Sequence, residues 1–494
     1  MGGNMTRKSG IYNIYVSHGL AGFLTLLCLA TIYLSQSMLP TLEPDSAGYL
    51  QMDASRPVLY PLFLQIGAML GDIISFTIIL QTALYLISFY ALILTLHRTF
   101  ASVFVTLLAG MAVALNIYLQ TFHTTILTES LSFTLMNGLI ILLLRLVFFK
   151  TASRTYHIIL LGVITGLLMA LKPALTSLLP AIVLIVAVFA YTKQQRFGRQ
   201  TALILAVILG TLGADRLIYQ SIHQERDSLS HYILFGKAAM LTTDPDFRIP
   251  QGLSSEETAL LAKVQEQFAP YKKWLSSEKN RLVTSNIRAN MEVYAQFQLY
   301  PYINKRKELT TEDKALMRRL GQVAITENPL AYVKLSLSYL AELWSVQALP
   351  FSLSTTDTKL PDFGNARLNS VLPHVAHTNS ALDPTAKTTT NRFALIVFPA
   401  FAALGLVSFC LLFVFIYISS KKLFWHKQEL TPTEMIVTSL LIIGWSNLIF
   451  IAFVNIPTPR YLMPHFLSFV LAALLTMQSL MTAFERRKSD KAQS

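Results

Sequence analysis

Runs of twenty or so residues with almost no charge recur along this 494-residue chain, and they constrain its fold more than any motif. More than half of the residues are hydrophobic (53 %) and only 14 % are charged, a balance suited to helices whose backbone polar groups are satisfied internally within lipid. The expected fold class is an all-α polytopic membrane protein. About ten spans of roughly 20 residues are read near 14–36, 72–97, 100–118, 129–149, 157–171, 174–192, 200–221, 392–419, 435–455 and 462–484, the fifth being short. The first apolar stretch is too long for a cleavable leader and has no small-residue cleavage pattern, so it is expected to remain as a span.

Basic residues test this count, because Lys and Arg collect in cytoplasmic connections. Arg7 and Lys8, Arg98, Lys150 with Arg154, Lys193 with Arg196 and Arg199, Lys421 with Lys422 and Lys427, and Arg486 with Arg487 and Lys488 mark every second connection. Both termini are therefore expected in the cytoplasm. The net charge of +13 follows largely from this topology, so no nucleic-acid partner is expected. Cys28 and Cys410 both lie in apolar runs and suit packing rather than a disulfide, a zinc site or a nucleophile.

The apolar pattern breaks between about 222 and 390. The chain divides accordingly into an N-terminal transmembrane module (1–221, with a first outer loop at 37–71), an extracytoplasmic domain (222–390) and a C-terminal transmembrane module with a cytoplasmic tail (391–494). Within the middle part, 255–276, 285–300 and 311–326 have helical periodicity, and SSEE at 254–257 and TTED at 310–313 are capping-type starts. Residues 328–351 carry Lys334 and Glu342 and read as an interfacial helix. Counting them as a span would place the last basic clusters outside. The Ser-, Thr-, Asn- and Pro-rich stretch 352–390 reads as a mobile loop, either a cover for a cleft or a plain linker.

Chemistry-bearing residues gather at one predicted rim. TLEPDSAGYLQMDASRPVLYPLFL, residues 41–64, sets Glu43 and Asp45 just beyond the first span, with Arg56 and Tyr60 close behind. Asp45 follows a proline at the start of a short helix, where it either caps the helix or serves as a proton acceptor. Arg56 either snorkels to headgroups or meets a phosphate. Glu129, in TFHTTILTESLSF at 121–133, begins an apolar span and needs a partner or water, whereas His123 in the same segment reads as structural. Lys172 in LKPAL, and Arg460, Tyr461 and His465 in NIPTPRYLMPHF at 455–466, stand on the outer side against the charge rule. Arg56, Lys172 and Arg460 together suit an anionic phosphate, and Glu129, Tyr60 and Tyr461 are further candidates for binding the substrate or donor phosphate.

In the order of these segments, PDSAGYL with SRPVLYPLFL, then TILTESLSF, LKPAL and PRYLMPHFL, the chain resembles the GT-C superfamily of integral-membrane glycosyltransferases. That superfamily includes protein O-mannosyltransferases and lipid A aminoarabinose transferases. The resemblance covers most of the membrane part and says little about 222–390. It implies inverting transfer of a sugar from a polyprenyl-phosphate donor to a glycan such as lipopolysaccharide, a lipid or an exported protein. Asp45 stands at the position of the loop-one base, and Arg56 matches a phosphate-contacting lysine of some relatives. Relatives often carry adjacent Asp-Glu where this chain has Glu-Pro-Asp, so the base is open between Asp45 and Glu43. No cofactor is expected; a divalent ion shared by the two carboxylates is the alternative, with no further ligand cluster in the sequence. Two other functions fit a polytopic chain: an O-antigen ligase that works through basic residues without Asp45, and a lipid or solute transporter, which calls for interrupted helices or two similar halves.

Overall fold

The structure is a computed structural model that describes residues 3–36, 42–149, 154–192, 197–223, 229–276, 285–305, 309–344, 384–426 and 428–493. Its described elements are helical. The membrane part consists of α1 (Gly3–Gln36), α4 (Ile73–Phe100), α5 (Val103–Ala114), α6 (Ile117–Gln120), α7 (Glu129–Phe148), α8 (Arg154–Leu171), α9 (Leu178–Thr192), α10 (Phe197–Ile222), α17 (Pro384–Ser420), α18 (Pro432–Val454) and α19 (Met463–Gln493). Two short helices, α2 (Pro44–Leu50) and α3 (Leu59–Leu70), lie between α1 and α4.

Among the described residues, eight helices are long and apolar enough to cross a membrane. The chain is thus an integral, multi-pass membrane protein. Two of the ten expected spans take another form. The stretch expected at 100–118 is a pair, Val103–Ala114 and Ile117–His123, bent by 58°. Asn116 lies at the break, and its side chain accepts from Leu119 N at 3.1 Å, capping the second limb instead of continuing the first. The stretch expected at 157–171 is the apolar helix Thr155–Leu171, shorter than a full span.

The bundle core is a continuous apolar cluster running from Leu24 and Cys28 on α1 through Phe89 and Ile93 on α4, Leu139 and Leu143 on α7, and Leu448 and Ile451 on α18, to Phe469 and Leu471 on α19. Helix α4 packs against α1, α3 and α7; α8 packs against α7 and α10; α18 packs against α19. These contacts bring the start of α7, the end of α18 and the start of α19 to one rim.

The segment between α10 and α17 folds around a second core. It contains α11 (Ser230–Leu241), α12 (Ser255–Ser276), α13 (Ser285–Tyr294), α14 (Tyr300–Asn304), α15 (Thr311–Glu327) and α16 (Pro329–Glu342). Both capping motifs form as expected. Ser254 N donates to Glu257 at 2.7 Å while Glu257 N donates back to Ser254 Oγ at 3.2 Å. Thr310 N donates to Asp313 at 2.9 Å and Asp313 N to Thr310 Oγ1 at 3.2 Å. Gly321 on α15 lets that helix touch α11, since a Cβ there would meet the Leu234 backbone at 2.5 Å. Phe235, Leu261, Phe268, Met317 and Tyr339 fill this core, and Ala452 of α18 reaches into it. Of the stretch read as interfacial, Pro329–Glu342 is helical and 345–351 lies outside the described residues; of the expected 352–390 loop, 352–383 lies outside them, and 384–390 is not loop but the first turns of α17.

Candidate active site

The rim site is built on α2. Pro44 begins the helix, where a missing N–H costs nothing, and Asp45 sits in the first turn beside the positive end of the helix. Ser46, one residue on, is fully buried. Its hydroxyl takes the Glu43 N–H at 2.8 Å and donates to the Ile126 carbonyl at 2.8 Å, which ties loop one to the 121–129 connection.

After α2 the chain reverses. Asp53 N bonds Gly48 O at 2.9 Å, Asp53 Oδ1 accepts from Ser55 N at 2.8 Å, and Arg56 N bonds Asp53 O at 2.9 Å. This turn folds the Arg56 side chain back across α2. Arg56 Nη2 reaches Asp45 Oδ1 at 2.7 Å, and its guanidinium lies 5.4 Å from the centre of the Tyr49 ring. Gly48 makes this path, because a Cβ there would stand 2.9 Å from Arg56 Nε.

A second guanidinium arrives from the connection between α18 and α19. Arg460 Nη2 donates to Asp45 Oδ2 at 3.2 Å, so each oxygen of Asp45 faces a different arginine. Arg460 Nε stands 3.8 Å from Glu129 Oε1, and that same oxygen accepts from Lys172 Nζ at 2.8 Å. Lys172 Nζ also lies 4.7 Å from the centre of the Tyr461 ring. Arg56, Asp45, Arg460, Glu129 and Lys172 thus form one chain of alternating charge. Exposure is graded along it: the side chains of Asp45, Arg56 and Arg460 are 28 %, 24 % and 27 % exposed, those of Lys172 and Glu129 only 8 % and 3 %. The open end is the arginine pair.

Glu129 meets the need for a partner that an acid at the start of an apolar span creates. Tyr60 stands behind Tyr49. It is buried, edge-on to Tyr49 with ring centres 5.1 Å apart, and its hydroxyl donates to Gln81 at 3.1 Å. Gln81 in turn donates to the carbonyls of His123 and Thr125, both at 2.9 Å. The His123 ring stacks on Tyr85 at 3.8 Å and its Nδ1 lies 2.8 Å from Ser130 Oγ, the structural role expected for it. His465, in the first turn of α19, is fully buried.

Burial pushes the Asp45 carboxyl up, but the adjoining Arg460 and Arg56 guanidiniums outweigh it and hold the group below the usual carboxylate range. Burial dominates at Glu43, with Arg460 opposing it and Asp45 adding to it, and its carboxyl is raised to about 8. With Glu43 protonated at neutral pH, three cations face two carboxylates, and the site carries one net positive charge. Tyr49 was not read from the sequence as a site residue. Its spacing of four from Asp45, on the same face of α2, is the signal that marks it. Among the described residues no three His, Cys, Asp or Glu side chains converge in a way that would hold a metal ion.

No protein family and no curated protein matches the chain by sequence. Among solved structures it is similar to the crystal structure of ArnT from Cupriavidus metallidurans bound to undecaprenyl phosphate, with 13 % identity over 92 % of this chain and 77 % of that one and a TM-score of 0.33. A likeness that weak leaves the chemistry to be argued from the residues themselves.

Proposed function

We propose that the protein is a membrane glycosyltransferase that moves a sugar from a polyprenyl-phosphate donor to an envelope acceptor, with inversion at the anomeric carbon. One observation carries this reading. Asp45 is held between Arg56 and Arg460 at the rim of the membrane part, so a proton acceptor and two phosphate-binding groups share one opening.

The lipid-linked phosphate suits the guanidiniums, which bind its oxygens through charge-assisted hydrogen bonds. As phosphate takes up their charge, Asp45 loses the two interactions that depress its proton affinity and becomes a better base where the acceptor arrives. An acceptor O–H gives its proton to the Asp45 carboxylate while its oxygen attacks the anomeric carbon opposite the phosphate. The bond from that carbon to the phosphate oxygen breaks, and its electron pair leaves with polyprenyl phosphate, stabilised by Arg56, Arg460 and the Lys172 charge behind them. We assign the base to Asp45, which is ionised at neutral pH, rather than to Glu43, which is largely protonated there. A metal-independent reaction follows from the same arrangement, since both Asp45 oxygens face guanidiniums and these serve the phosphate. In this reading the rim faces the periplasm and both termini the cytoplasm, in keeping with the distribution of Lys and Arg.

The test compares, by mass spectrometry, envelope glycolipids, polysaccharides and glycoproteins of cells carrying the native protein, no protein, or Asp45→Asn at equal expression. Loss of the same sugar in the deletion and in Asp45→Asn, with accumulation of its polyprenyl-phosphate donor, is expected. Native glycosylation in Asp45→Asn with loss in the deletion would remove Asp45 as the base and favour Glu43, a ligase or a transporter.

A further inference from the structure

Lys237 lies in α11, far along the chain from the rim residues, and is almost completely buried. Burying an ammonium is costly unless it is paired and its hydrogen bonds are met. Three partners surround it. Glu292 of α13, also fully buried, stands 3.0 Å away; the Tyr339 ring of α16 has its centre at 4.2 Å; and Nζ donates to the Asn455 carbonyl at 2.6 Å.

Asn455 is the C-cap of α18, so its carbonyl is among those left without a partner inside the helix. A cation at this end also complements the helix dipole. A second strap supports the first, since the Tyr332 hydroxyl of α16 donates to the Phe453 carbonyl. Five residues after Asn455 comes Arg460. The step between them, Ile456-Pro457-Thr458-Pro459, contains two residues with fixed φ and is closed by Thr458 N to Ile456 O at 2.8 Å and Tyr461 N to Thr458 O at 3.1 Å. A displacement of Asn455 therefore has little slack in which to dissipate before it reaches the guanidinium.

We propose that Lys237 is a positioning residue for Arg460: through the end of α18 it couples the 229–344 domain to the rim site. The strut itself is independent of the reaction, and only the identity of what Arg460 binds rests on the proposed function. An ordinary core contact would hold the domain together. This one holds a segment outside it.

The test uses the full-length protein in lipid nanodiscs, with Lys237→Met and Glu292→Gln as two ways to break the strut and Leu261→Ala as a variant that loosens the domain core without removing any partner of Lys237. Backbone hydrogen exchange is followed over 455–462, and binding is measured with undecaprenyl phosphate alone. Lys237→Met and Glu292→Gln are expected to speed exchange in 455–462 about tenfold, and Leu261→Ala to speed it only within 229–344. Probe binding should weaken about tenfold in the first two variants only. Unchanged exchange at 455–462 in both strut variants overturns the inference, as does an equal rise with Leu261→Ala. Faster exchange with native probe affinity keeps the strut and removes Arg460 from phosphate binding, a failure of the proposed function alone.

Discussion

Asp45 and Arg460 lie 415 residues apart in the chain, and Arg460 Nη2 donates to Asp45 Oδ2 at 3.2 Å. The other Asp45 oxygen is taken by Arg56, eleven residues along the same loop, at 2.7 Å. A carboxylate clamped in this way is a weak base until an anion competes for its arginines. In the proposed reaction, reactivity at Asp45 is thereby tied to occupancy by donor.

Asp45→Asn keeps the shape of the clamp and removes both the charge and the proton acceptor. Turnover is expected to fall by about 10²–10⁴, the usual worth of a general base, while affinity for polyprenyl phosphate holds or increases because two guanidiniums have lost a competing anion. Single-turnover transfer and equilibrium binding of the lipid phosphate measure the two separately. Near-native transfer would remove Asp45 from the chemistry.

Gly48→Ala tests the path of Arg56 without altering a charge. The new Cβ would fall 2.9 Å from Arg56 Nε and 3.2 Å from its Cγ, so the side chain must leave its course across α2. Displacing the Arg56 guanidinium from the rim should weaken lipid-phosphate binding by about tenfold, the scale of one charge-assisted hydrogen bond, with helix content unchanged by circular dichroism. Native affinity would mean that Arg56 reaches the ligand equally well from another rotamer.

Much of the membrane part was legible because hydropathy over twenty residues reports a physical requirement, and the SSEE and TTED caps were legible because they are local. The acidic start of the 129 span announced a missing partner, and Lys172 supplies it. What sequence could not convey was which charges meet. Arg56, Lys172 and Arg460 read together as phosphate-binding cations, and only the fold brings two of them onto Asp45. The bend at Asn116 was hidden by the apolar residues around it, although a capping residue inside an apolar run was the available clue. The partners of Lys237 come from three separate helices, so no local pattern marked it.

Lys172 and Glu129 separate stability from binding. Lys172→Met leaves a buried carboxylate with the Thr128 hydroxyl and the more distant Arg460 as its partners, and a broken buried pair typically costs about 3–5 kcal/mol. Replacing both, as Lys172→Met with Glu129→Leu, should recover most of that loss in denaturant or thermal unfolding in detergent. Donor affinity should remain low in the double variant, because the cation behind the phosphate is still gone. Recovery of affinity together with stability would show the pair to be purely structural.

Glu43 makes the pH response of the site distinctive. In the folded protein its carboxyl is raised to about 8 from an ordinary value of 4.5, so between these values the folded state holds a proton that the unfolded chain has lost. The contribution of Glu43 to folding stability is therefore largest at low pH and is lost as pH rises through that window. Binding follows the same sign. Ionisation near pH 8 places a negative charge beside Arg460 and Asp45, cancels the net positive charge of the site and repels the phosphate. Affinity for undecaprenyl phosphate, measured in nanodiscs between pH 6 and pH 9, is expected to fall through about pH 8, whereas Glu43→Gln, which stays neutral, should lack that fall. Titration of the lipid phosphate itself is common to both proteins and drops out of the comparison. Parallel profiles for native protein and Glu43→Gln would mean that Glu43 does not titrate in the occupied site.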